Sequence, residues 1–214
     1  EFWNYLAPNY FAWANMEEAE GLSRKENTQQ AKQTFQKALN QFTIAEKSIK
    51  QQLKEITSFD QREFTQKLFE VSELRREYCQ ARILLEDAKL LDGSGKYLQS
   101  SRSYMEAAQK FEAISEKMDS KAERKELEYL GILCQAWEKM SEAEETNSSE
   151  SYMEASMLFE NAKKYCHTRK ASLWALGNSN FCRGLAAGVE YQTVWIWMSI
   201  IKQKVTLRMQ LQII

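Results

Sequence analysis

Cys79, Cys134 and Cys182 recur in related settings, Cys79-Gln-Ala81, Cys134-Gln-Ala136 and Cys182-Arg-Gly184, and recurring thiols invite a redox or metal reading. The recurrence argues otherwise. Equivalent positions of repeated units call for a small buried residue at a helix crossing, which cysteine supplies. No C-x-x-C pair occurs among the four cysteines, so no zinc site or redox dithiol is expected and no metal ligand is assigned. Cys166-His167 stands alone, and adjacent helical residues diverge by about 100°. His167 is the only histidine, which argues against imidazole acid–base chemistry. Glu17/Glu18/Glu20 and Glu142/Glu144/Glu145 read as solvated helix ends. No Gly-rich phosphate loop, nucleophile elbow or H-E-x-x-H is present. The sequence thus predicts no enzyme, no catalytic residue and no cofactor. Arg75-Arg76 with Lys67 and Arg82 outlines a basic stripe, but Glu70, Glu73, Glu77 and Glu86 interrupt it, against a nucleic-acid partner.

Aromatic residues are the surplus. Trp13 and Trp137 hold the same repeat position and are expected in the core between repeats. Tyr97, Tyr129, Tyr165 and Trp174 are less regular. They are the candidates to line a face that binds another protein or peptide, where aromatic anchors dominate the energy.

These residues need helices to place them. A single proline and seven glycines suit a nearly all-helical chain. Caps and breakers bound seven helices: Asn9–Glu20, stopping at Gly21; Thr28–Ile56; one opened by an Asp60-x-x-Glu63 capping box and reaching Leu91; Lys96–Met118; one capped at Ser120 and reaching Thr146; one from Asn147-Ser-Ser149 to Cys166; and one from Thr168 to Gln192. Asp92-Gly-Ser-Gly95 is the clearest loop. Tyr104, Ala107, Ala108, Phe111 and Ile114 follow helical apolar spacing.

The helices alternate between two types. Tyr-Met-Glu-Ala at 104–107 returns at 152–155, and Tyr104/Tyr152, Phe111/Phe159 and Cys134/Cys182 are each 48 residues apart. Such fixed-period self-similarity marks a stacked repeat array. The first type carries Phe35/Phe42, Tyr104/Phe111 and Tyr152/Phe159; the second carries the cysteines. Phe42 to Cys79 is 37 residues where the later units have 23, and the extra 14 amount to about four helical turns. The first hairpin is therefore expected to project beyond the others. Phe111 is expected between hairpins, touching its own partner helix and a neighbouring unit. Ala12-Trp13 to Glu20 matches Ala136-Trp137 to Glu144, so the chain opens on a lone second-type helix, either a cap or a piece of a longer array.

Ala38/Phe42/Ala45 and Ala155/Phe159/Ala162 form Ala-x-x-x-Phe-x-x-Ala, with Ala107/Phe111/Ile114 a near match. This resembles the second helix of a tetratricopeptide (TPR) repeat. The Trp-x-x-Leu-Gly-x-x-Tyr half of that motif is absent, and the period is longer. The chain resembles a divergent, long-helix TPR-like protein, similar in style to soluble adaptors of the SNAP type. The stretch from Ala175 to Tyr191 is similar to segments of uncharacterised archaeal helical-repeat proteins. The resemblance spans about residues 9–192. It implies an all-α, antiparallel helical-hairpin (TPR-like) solenoid of about seven helices, acting as a protein-binding scaffold. The expected organisation is a half repeat at 1–22, hairpins at 26–93, 95–146 and 148–192, and an atypical tail at 193–214. A ligand-binding or regulatory bundle with an apolar pocket near Trp174 is the alternative.

With 43% hydrophobic residues the chain can build a core, and 29 basic against 30 acidic residues give no push toward nucleic acid or an anionic membrane. Scattered free thiols and no recognisable leader point to a cytoplasmic setting. The tail, with Thr-Val-Trp-Ile-Trp-Met-Ser-Ile-Ile, departs from every pattern above. It reads as a capping helix, as an interfacial membrane anchor too short to span a bilayer, or as an out-of-frame translation of a further helix. Phe2, Trp3, Tyr5, Tyr10, Phe11 and Trp13 at one end, and Trp195, Ile196, Trp197, Ile200 and Ile201 at the other, predict exposed apolar ends that self-associate.

Overall fold

The structure, a computed structural model, describes residues 3–166 and 168–211; the side chains of residues 4, 5 and 205–211 lie outside that description, as do Phe2 and His167. Among the described residues there are seven α-helices, one 3-10 turn and no strand: α1 Trp3–Arg24, α2 Thr28–Glu55, α3 Phe59–Asp92, α4 Tyr97–Glu116, α5 Lys121–Thr146, α6 Ser149–Ala162, the turn Lys163–Tyr165, and α7 Arg169–Leu211. Each helix packs chiefly on its neighbours in sequence.

Local chemistry sets the turns. Ser120 Oγ accepts from the Glu123 amide, Ser148 Oγ from Ser151 and Thr168 Oγ1 from Ala171, satisfying donors that a helix start leaves free. The turns after α1, α3 and α5 are closed by residues in the left-handed region: Glu26 (φ 60°), Gly95 (φ 70°) and Asn147 (φ 52°). The repeat thus reaches into the loops. Two expectations fail at this level. α1 does not stop at Gly21 but runs on to Arg24, and it contains Pro8 within its length. α3 starts at an uncapped Ser58 rather than at an Asp60 capping box.

The core follows the two-type pattern. Phe35, Phe42, Phe111 and Phe159 are fully buried, as are Cys79, Cys134 and Cys182. Phe42 and Cys79 share one apolar cluster, Phe111 and Cys134 the next, and Phe159 and Cys182 a third. Each cysteine therefore fills the space beside the phenylalanine of its own hairpin. α2 and α3, at 28 and 34 residues, are longer than α4 and α5, at 20 and 26. The surplus is stabilised at its far end by Leu6 and Ile49, against Leu53, Leu68 and Phe69.

Trp13 and Trp137 part company. Trp137 packs among Phe159, Leu133 and Met140, as expected for core. Trp13 is 40% exposed. Its indole N–H donates to Glu17 and Arg75 covers its ring at 4.3 Å, so a surface cation sits where Trp137 has an aromatic. The tail departs from expectation too: residues 193–211 form no separate capping element but continue α7 as one helix. Its large apolar residues from Val194 to Ile201 are exposed, as are Trp3, Tyr10 and Phe11 on α1.

Candidate partner-binding cleft

Side chains of α1, α3 and α5, the second-type helices, line one cleft. A volume of about 720 Å³ is lined chiefly by α1, α3, α5 and the start of α7, with Thr28 of α2 and Tyr104 of α4. A second volume, about 340 Å³, adjoins it toward Trp13 and Met118. The two share Glu20, Arg24, Tyr78, Glu126 and Leu130, so they form one continuous depression.

Aromatic side chains make its walls. Tyr78 stands on α3, Tyr129 and Trp137 on α5, and Trp174 on α7. Trp137 meets Phe159 edge to face at 5.2 Å, and Trp174 lies 6.0 Å from both Trp137 and Phe159. Trp174 is thereby fixed on its inner side while 43% of its surface stays exposed. Burial, with the Cys166 thiol beside it, pushes the Tyr129 hydroxyl up to about 12, so it serves as a neutral donor and acceptor.

A polar network forms the floor. Tyr78 Oη donates to Glu20 Oε1 at 2.6 Å. Ser23 Oγ donates to Glu86 Oε1 at 2.6 Å, and Arg82 Nη2 donates to Ser23 Oγ at 2.8 Å. Lys89 Nζ donates to the same Glu86 oxygen at 2.9 Å. Arg82 also lies over the Phe35 ring at 5.0 Å. Its Nε comes within 3.3 Å of Glu20 Oε1, yet the angle is too poor for a hydrogen bond, and Glu86 Oε2 likewise has no partner. Glu20 and Glu86 balance Arg82 and Lys89, so the floor is close to neutral. It clamps α1 to α3, while Glu126 and Arg24 line the cleft with exposed side chains.

Two of the four aromatics singled out from sequence, Tyr129 and Trp174, line the cleft. Tyr97 opens α4 and Tyr165 ends the 3-10 turn, both half-buried and neither on the cleft wall. Tyr78, Arg82 and Trp137 line the cleft as well, although from sequence Arg82 stands only in the basic stripe, Trp137 only in the core, and Tyr78 in neither. Tyr78 had a signal, because it stands at the repeat position of Leu133, where an aromatic exceeds what packing needs. The basic stripe does not form. Lys67 pairs with Glu63, Arg76 with Glu46, Arg75 covers Trp13 and Arg82 is buried.

Comparison with protein-family models, curated proteins and solved structures finds no match to this chain.

The three repeat thiols are buried. Burial pushes Cys79 and Cys134 up to about 12 and Cys182 up to about 11, which keeps them protonated and poor nucleophiles. All four cysteines are free. Among the described residues no three His, Cys, Asp or Glu side chains gather as a metal site would require, and no helix is long and apolar enough to cross a membrane.

Proposed function

We propose that this chain is a non-catalytic interaction scaffold, a TPR-like helical-hairpin solenoid whose cleft holds a peptide segment of another protein in the cytoplasm. The observation that carries the reading is the continuous depression across α1, α3 and α5, with Tyr78, Tyr129, Trp137 and Trp174 rising from a nearly neutral polar floor. Aromatic anchors beside a few fixed polar groups are what peptide recognition uses. The depression reaches from Trp13 on α1 to Trp174 on α7, so its anchors come from four helices. The repeated Ala-x-x-x-Phe-x-x-Ala helices support a likeness to TPR-like proteins, similar in style to SNAP-type adaptors, and the stretch from Ala175 to Tyr191 a likeness to archaeal helical-repeat proteins.

A second reading has one observation in its favour. A volume of about 720 Å³ beside Trp174 falls in the range of small-ligand pockets, roughly 300–1,000 Å³, so a regulatory bundle holding an apolar molecule is the alternative.

Affinity capture with the full chain separates them. The scaffold reading expects a stoichiometric protein that survives moderate salt and is released by Tyr129→Asp. Recovery of chaperones only, from wild type and variant alike, counts against it.

A further inference from the structure

The outer face of α7 repeats, in register, a face that the other second-type helices bury. Counting back 48, 103 and 172 residues, Gly184 corresponds to Ala136, Ala81 and Ala12, and Tyr191 to Ala143, Ala88 and Ala19. All six alanines have zero exposure, because α2, α4 or α6 packs on them. On α7 the same face is open. Phe181, Tyr191, Trp195 and Met198 are 58%, 71%, 62% and 64% exposed, and a Cβ added at Gly184 or Gly188 meets nothing within 4 Å. The buried stripe Ala175, Ser179, Cys182 and Ala186 lies about 180° round the helix from it. Phe181 to Met198 is separate from the cleft, which takes only Trp174 from α7.

The sizes on this face do not suit another helix of the α2, α4, α6 kind. Those helices meet Ala, then Met or Leu, then Ala, as in Ala81, Leu85 and Ala88; α7 offers Gly184, Gly188 and Tyr191, large and small exchanged. Phe181, Gly184, Gly188, Tyr191, Trp195 and Met198 are instead spaced by alternating threes and fours, the seam of two long helices packed side by side.

We infer that this seam binds a second copy of the chain, α7 against α7, antiparallel. In that register Gly188 faces Tyr191 of the second copy, Gly184 faces its Trp195, and Phe181 faces its Met198. Each glycine hole receives an aromatic ring. Parallel pairing would set Gly184 against Gly184 and Trp195 against Trp195, leaving voids beside crowded rings. The two protein bodies lie on opposite sides of the seam, so they do not collide. Covering four large side chains per copy removes on the order of 1,000 Å² in all, at the lower edge of specific interfaces.

Sedimentation equilibrium of the full chain tests this, with circular dichroism to check each fold. The expected result is a concentration-dependent dimer whose dissociation constant rises at least tenfold in Gly188→Arg and in Trp195→Lys. Both sites face open space, so the helix should persist. In a Cys166→Ser background, spin labels at Lys204→Cys should lie about 40 Å apart in the dimer, from 1.5 Å rise per residue either side of the midpoint. A chain that stays monomeric, a dimer indifferent to Gly188→Arg, or labels within about 15 Å of each other as parallel helices require would overturn the inference. So would a dimer lost only through Trp197, which lies off the seam.

Discussion

Tyr78 of α3 meets Phe111 of α4 edge to face, with ring centroids 6.0 Å apart and planes inclined by 62°. One ring thus joins two hairpins, since Phe111 also packs beside Leu127 and Cys134 of α5 while Tyr78 belongs to the hairpin before. Tyr78 in turn donates to Glu20 of α1. The contact couples the core to the cleft wall.

Phe111→Ala should therefore cost about 3–5 kcal/mol, the range for aromatic truncation in a packed core. Phe181→Ala, on the open face of α7, should stay within about 0.5 kcal/mol in the monomer. Denaturant unfolding of both variants at low concentration provides the comparison. Equal losses would mean that the two faces are misassigned.

The Arg82 network gives a second contrast. Glu86 has zero exposure, and Arg82 and Lys89 are its cationic partners. Arg82→Met should destabilise by about 3–5 kcal/mol, because it leaves buried carboxylates short of a counter-charge. Adding Glu86→Leu should restore more than half of that loss, since a buried pair replaced by apolar groups is often neutral. A double variant as unstable as the single one would show that the network does more than cancel its own charge.

Much of this was legible in the residues, and the failures have physical causes. The paired phenylalanines and cysteines marked the core because buried faces admit few residue types. The longer first hairpin could be counted directly, from 37 residues against 23. Trp13 misled because repeat position says where a side chain points and not what meets it; here Arg75 does. Gly21 misled because glycine only weakens a helix, whereas Glu26 in the left-handed region ends one. Half of the aromatic candidates missed the cleft because its walls come from helices far apart in sequence. Tyr78, Tyr129 and Trp174 converge only once α3, α5 and α7 are packed.

The thiols should respond to pH with a definite sign. Cys79 and Cys134 are held up at about 12 by burial, against an ordinary value of 9.0. Between those values the folded state keeps protons that the unfolded state has lost, so this contribution is complete below pH 9 and is lost as pH rises toward about 12. Cys134→Ala should flatten the alkaline limb of stability against pH. At pH 8 a thiol reagent should label one residue quickly in the folded protein, Cys166, which is half-buried while the other three are buried. Two or more fast thiols, or fast labelling that survives Cys166→Ser, would contradict the packing described.

The cleft carries the central claim, and binding of one selected peptide tests it most directly. A peptide chosen from a display library against the full chain should lose at least tenfold in affinity with Tyr129→Ala and again with Trp174→Ala, about 1.4 kcal/mol or more each. Phe181→Ala, away from the cleft, should leave the dissociation constant unchanged. Titration calorimetry on the three variants gives the answer. Losses at Tyr129 and Trp174 alone are what the account predicts; unchanged affinity in both, or an equal loss at Phe181, would contradict it.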